Sequence, residues 1–121
     1  MHEVKIINAS KKIIQISWIG KVSPEDIQQA NTKIDKFVNE LKATSFDLIV
    51  DMTDITVLLQ EKELVKHQEW LLAKAMGRAA VITNSAIAKM QLKRTAKESS
   101  HQKEFHFKTY DDATAFLTKA I

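Results

Sequence analysis

No cysteine occurs among the 121 residues, which excludes disulfides, thiolate metal sites and thiol nucleophiles together. Glycine appears twice and proline once, so Gly-rich phosphate loops and Pro-rich linkers are absent and little material remains for long flexible connections. No segment approaches the ~20 consecutive apolar residues of a membrane span. A cationic leader with an apolar block and a small-residue cleavage site is also missing, so the expected location is cytoplasmic. The four histidines, His2, His67, His101 and His106, show no metal-ligand spacing. No metal and no cofactor is expected.

What the chain does have is a hydrophobic share of 45% beside 27% charged residues, the balance of a globular domain. One domain over residues 1–121 is long enough to bury a core without staples. A net charge of +3 and a pI near 9.1 admit an anionic partner without requiring one.

The chain organises around Phe46 to Thr56. Leu48, Ile49 and Val50 form a short apolar run of strand-favouring residues ended by polar ones, which predicts a central strand buried on both faces. Asp51, Thr53, Asp54 and Thr56 then fall at its carboxyl end, where open α/β sheets place ligand crevices and partner-facing loops.

Upstream, Val4 to Ile7 and Ile13 to Ile19 read as a hairpin around the polar segment Asn8 to Lys12. Ile14, Ile16 and Trp18 share one face, with Gln15 and Ser17 on the other. Ser23-Pro24-Glu25-Asp26 is a helix start with a capping hydroxyl, proline at the first position and acids in the first turn. Ile27, Ala30, Ile34, Phe37, Val38 and Leu41 continue it at helical spacing.

Downstream, Glu61 to Met76 reads as a second helix stopped by Gly77, with His67 solvated or half-buried. Arg78 to Thr83 is a buried-type strand, and Asn84-Ser85 caps a helix from about Ala86 to Lys97. Lys97 to Lys103, including Ser99, Ser100 and His101, reads as the most mobile connection. Phe105 and Phe107, with Tyr110 as a further candidate, alternate in a last strand. Thr109 or Asp111 caps a terminal helix carrying Ala113, Phe116, Leu117 and Ala120. The order β-β-α-β-α-β-α-β-α predicts an α/β fold: a mainly parallel mixed sheet of about five strands, a hairpin start and about four helices, joined by right-handed crossovers.

Several residues in that order carry a resemblance. They are Gly20 before Ser23-Pro24-Glu25-Asp26, the segment Phe46-Asp47-Leu48-Ile49-Val50-Asp51-Met52-Thr53, the strand Arg78-Ala79-Ala80-Val81-Ile82, and the ending Phe107 to Leu117. Over nearly the whole chain this is similar to the STAS domain, and more closely to its SpoIIAA-like branch. The resemblance implies a non-enzymatic bacterial domain that binds a protein partner. In STAS anti-sigma-factor antagonists the loop after the central strand carries an Asp-Ser-Ser-Gly type segment whose serine is phosphorylated. The matching region here, about Gln60-Glu61-Lys62-Glu63, has no serine and no glycine. The switch therefore does not carry over, because no hydroxyl stands there to take the charge.

The expected binding surface for a protein partner or a small apolar or anionic ligand comprises Asp51, Thr53, Asp54, Thr56, Leu59, Glu61 and Trp70. It spans the loop from Thr53 to Lys62 and the helix after it. Leu64, Val65, Trp70, Leu71, Leu72 and Met76 spread further round that helix than one core face needs, which also admits a homodimer.

Lys89, Lys93 and Lys97 recur every four residues and, with Arg94, make a basic stripe suited to phosphate, an acidic protein face or an anionic membrane surface. No stacking aromatics interleave with it, so nucleic acid is not expected. No catalytic residue is assigned. The rival reading is an enzyme using Asp51 and Asp54, with Asn84 and Ser85 completing a polar pocket.

Overall fold

A computed structural model describes residues 1–56, 60–98 and 103–119. β1 (His2–Asn8) and β2 (Ile13–Gly20) form an antiparallel hairpin, followed by α1 (Pro24–Glu40), β3 (Phe46–Ile55), α2 (Glu61–Ala73), β4 (Met76–Ile82), α3 (Ala86–Glu98), β5 (Glu104–Phe107) and α4 (Tyr110–Thr118). The sheet runs β1-β2-β3-β4-β5 with every pair after the first parallel. This is the expected architecture, with β3 in the middle. Leu48, Ile49 and Val50 are buried there because β3 is covered from both sides.

Local chemistry fixes the boundaries of the elements. Ser23 Oγ accepts from the Asp26 N–H at 3.1 Å while Asp26 Oδ2 accepts from the Ser23 N–H at 3.0 Å, a complete capping box ahead of α1. The backbone N–H of Ser23, then His2, holds the Asp26 carboxyl well below the usual carboxylate range. At the last helix Thr109 does the capping, accepting from the Asp112 N–H at 3.1 Å.

The two faces of the sheet are covered unequally. Ile14, Ile16, Trp18, Leu48, Val50 and Val81 pack against α1, α2 and α3 through residues such as Ala30, Ile34, Leu64, Leu71 and Leu92. Ile13, Ile49, Ala80 and Ile82 pack on α4 through Ala113 and Leu117. The strand order explains this sidedness. From β2 to β5 each crossover steps one strand in the same direction, so crossovers of one hand put their helices on one face. Only after β5 does the chain pass to the other side.

Three expectations need correction. α2 ends at Ala73 rather than Met76, and the left-handed residue that turns the chain is Ala75, with φ +67°, not Gly77. Gly77 lies inside β4 and serves close approach instead: a Cβ there would stand 2.8 Å from Asp47 Oδ1. That oxygen accepts from the Arg78 N–H at 2.8 Å, and Asp47 Oδ2 pairs with the Arg78 guanidinium at 2.9 Å.

Gln15 is buried, because α4 covers the face of β2 opposite Ile14, Ile16 and Trp18. Tyr110 opens α4 and does not extend β5. His67 is buried too: its Nδ1 lies 2.8 Å from Asn31 Oδ1, its ring meets Trp18 edge-on, and burial lowers its pKa to about 4. Ser99, Ser100, His101 and Ala120 lie outside the described residues.

Candidate functional site

The strand runs further than the apolar run announced, to Ile55, so Asp51, Thr53 and Asp54 lie within β3 and not past it, and they are arranged chiefly for structure. Asp51 Oδ1 accepts both the backbone N–H of Thr53 at 3.0 Å and its hydroxyl at 2.7 Å, a local closure within the strand. Thr56 donates its N–H to the Gly20 carbonyl at 3.0 Å, and Asp54 is exposed. Leu59 lies outside the described residues. Glu61 opens α2 and ion-pairs with Arg94 of α3, which draws Arg94 out of the basic stripe.

Trp70 is half-buried against the larger core cluster, with the Lys74 ammonium 5.6 Å from its ring centre. It sits about 13 Å along the helix from Glu61, so the two belong to different surfaces. Lys89, Lys93 and Lys97 are exposed.

Two concave surfaces gather residues from separate elements. The first lies where α2 meets α3. Ile87 and Met90 are 69% and 65% exposed, large apolar groups where solvent would normally be met by polar ones. With Glu61, Gln91 and Arg94 they border a concavity of about 360 Å³.

The second follows from topology. The chain leaves β4 for α3 on one face of the sheet and leaves β5 for α4 on the other, so adjacent strand ends send their connections apart. A crevice is expected where neighbouring strands diverge in this way. One is present there, a cleft of about 610 Å³ lined from the β4 side by Thr83, Asn84, Ser85, Ala86 and Lys89 and from the β5 side by His106, Phe107 and Lys108.

This corrects the rival pocket. Asn84 and Ser85 converge with Lys89, His106 and Lys108, not with Asp51 and Asp54, so the cleft they line is basic rather than acidic. Sequence reasoning recognised Asn84-Ser85 as a cap but had no signal for its partners, since the pairing of β4 with β5 joins residues 25 positions apart. Ile87 and Met90 were absorbed into a nominal helix without regard to face. Among the described residues no group of three or more His, Asp or Glu side chains is placed to hold a metal ion. No helix among them is long and apolar enough to cross a membrane.

The SpoIIAA-like family model matches residues 13–118. No curated protein matches the sequence. Among solved structures, that of the anti-sigma factor antagonist SpoIIAA in its unphosphorylated form superposes with a TM-score of 0.66, covering 100% of this chain and 99% of that one at 13% identity. A likeness at that identity shows the shared fold.

Proposed function

The chain belongs to the SpoIIAA-like family, and on that premise we propose that it is a non-enzymatic, cytoplasmic protein-binding domain that docks a partner where α2 meets α3. The observation that carries this reading is the exposure of Ile87 and Met90 beside the Glu61–Arg94 ion pair. An apolar centre with a charged rim is the usual anatomy of a protein contact, and methionine suits an adaptable one. Of the residues expected to bind, Glu61 borders this surface, and Trp70, half-buried against the core, supports the same helix. The segment Gln60 to Glu63 offers no hydroxyl, so docking on this surface is not switched by phosphorylation there.

Affinity capture with the wild type, with Ile87→Glu/Met90→Glu and with Lys36→Glu on α1 tests this. Loss of a partner in the double variant and its retention in Lys36→Glu supports the α2–α3 surface. An identical captured set in all three removes it.

A further inference from the structure

We propose that the partner docked where α2 meets α3 is an acidic amphipathic helix, its apolar side seated on Ile87 and Met90 and its carboxylates facing Lys89, Lys93 and Lys97. This rests on the docking reading of that surface and adds the chemistry of the partner.

The apolar seat follows from the way α3 lies on the fold. Ala88, Leu92, Thr95 and Ala96 form its buried side, so Ile87 and Met90, one turn apart, stand on the outer half of the helix. The concavity of about 360 Å³ beside them has room for one or two large side chains. An anchor residue projecting from a protein partner fills such a hollow, whereas the plane of a membrane surface does not.

Charge selects among protein partners. Lys89, Lys93 and Lys97 are exposed, and among the described residues none of their ammonium groups meets a carboxylate. Recurring at every fourth position, they spread positive charge along about 12 Å of one helix side. Arg94 is held by Glu61 and adds nothing to that stripe. Lys62 and Lys66 are exposed on α2, against Glu69 and Glu98 as the exposed acids of the two helices, so the surface as a whole stays positive. Carboxylates spaced three or four residues apart on a partner complement it.

The backbone of the partner decides its conformation. Every residue that lines the concavity belongs to α2 or α3, so no strand edge is part of the groove. An extended segment would gain no main-chain hydrogen bonds there, while a helix arrives with its own already made. Apolar anchors at helical spacing with acids on the flanks are the pattern that fits. Exposed ion pairs each add little affinity, so the anchors hold the partner and the lysines steer its approach.

The test is selection of a displayed library of random peptides of about 20 residues, long enough to form a helix, on the folded full-length protein. Counter-selection uses Ile87→Glu/Met90→Glu, and the enriched peptides are synthesised for binding kinetics. They are expected to be acidic, with apolar residues at helical spacing. Lys89→Glu/Lys93→Glu/Lys97→Glu should slow their association by about tenfold or more. Ile87→Ala/Met90→Ala should speed their dissociation by about tenfold. Lys36→Glu on α1 should change either rate by less than about twofold.

Enriched peptides that are neutral or basic, or apolar at alternate positions as a strand is, overturn the acidic helix and leave the docking surface in place. Failure of every peptide to discriminate the wild type from Ile87→Glu/Met90→Glu removes the surface and this inference with it. Binding to phosphatidylglycerol vesicles at low salt, lost in the triple lysine variant and with no acidic peptide enriched, overturns the helix in favour of an anionic membrane surface. Retained amide dispersion in the NMR spectrum of each variant separates loss of binding from loss of fold.

Discussion

Tyr110 Oη donates a hydrogen bond to Gln15 Oε1 at 2.7 Å, joining the first residue of α4 to the middle of β2 across 95 positions of sequence. The glutamine is buried and its amide nitrogen in turn donates to Ser17 Oγ at 3.0 Å. Tyr110→Phe strands the Gln15 carbonyl oxygen and should cost about 1–2 kcal/mol in urea unfolding. Gln15→Met with Tyr110→Phe removes both partners, so the double variant should lie closer to wild type than the sum of the single losses.

His67 gives the protein a specific acid sensitivity. Burial lowers its pKa from 6.5 to about 4. Between those values the unfolded chain binds a proton that the native ring refuses, so stability rises with pH across that window and the effect ends below about 4. Urea unfolding should show a loss of about 2 kcal/mol from this residue between pH 7.5 and pH 5. His67→Gln should abolish that difference. Asp26, whose folded-state pKa is depressed by the Ser23 N–H and His2, contributes stability that is present above the ordinary carboxylate range and lost only at lower pH. The two contributions therefore occupy separate windows.

Ala75 and Gly77 should respond in opposite senses to exchange of one methyl group. Ala75 holds φ +67°, where a side chain is strained, so Ala75→Gly should stabilise by up to about 1 kcal/mol. Gly77→Ala places a carbon 2.8 Å from the Asp47 carboxylate that Arg78 depends on and should cost about 1–3 kcal/mol. Thermal melts of the two variants check both signs.

Arg78 ties three elements together. Its guanidinium reaches Asp47 on β3 and the Leu117 carbonyl at the end of α4, and lies 5.3 Å from the Phe116 ring centre. Arg78→Met should lower stability by about 1–3 kcal/mol and raise hydrogen exchange in α4 more than in α1.

Much of this architecture was legible because it is written locally. The Leu48-Ile49-Val50 run announced a strand buried on both faces, Ser23-Pro24-Glu25-Asp26 announced α1, and alternation after the hairpin announced the parallel sheet. What escaped was decided by packing. Glycine is the ordinary signal for a helix stop, yet here an alanine takes the left-handed turn and the glycine makes room for a carboxylate. Glutamine and histidine do not announce burial by type; only the placement of α4 over β2, and of α2 over Trp18, buries Gln15 and His67. The acids Asp51 and Asp54 in the second half of β3 stood out as single letters, whereas the basic cleft exists only once β4 and β5 are neighbours and α3 and α4 depart to opposite sides.

The uneven cover of the sheet gives this domain a preferred way to come apart. Three helices shield one side, while nine residues of α4 are the helical shield of the other among those described. Release of that one short segment uncaps Ile13, Ile49, Ala80 and Ile82 while the rest of the molecule stays assembled. Susceptibility to proteases and to clumping should follow the latching of the carboxyl-terminal helix, and a variant with an unchanged melting temperature but a loosened latch would already be sticky.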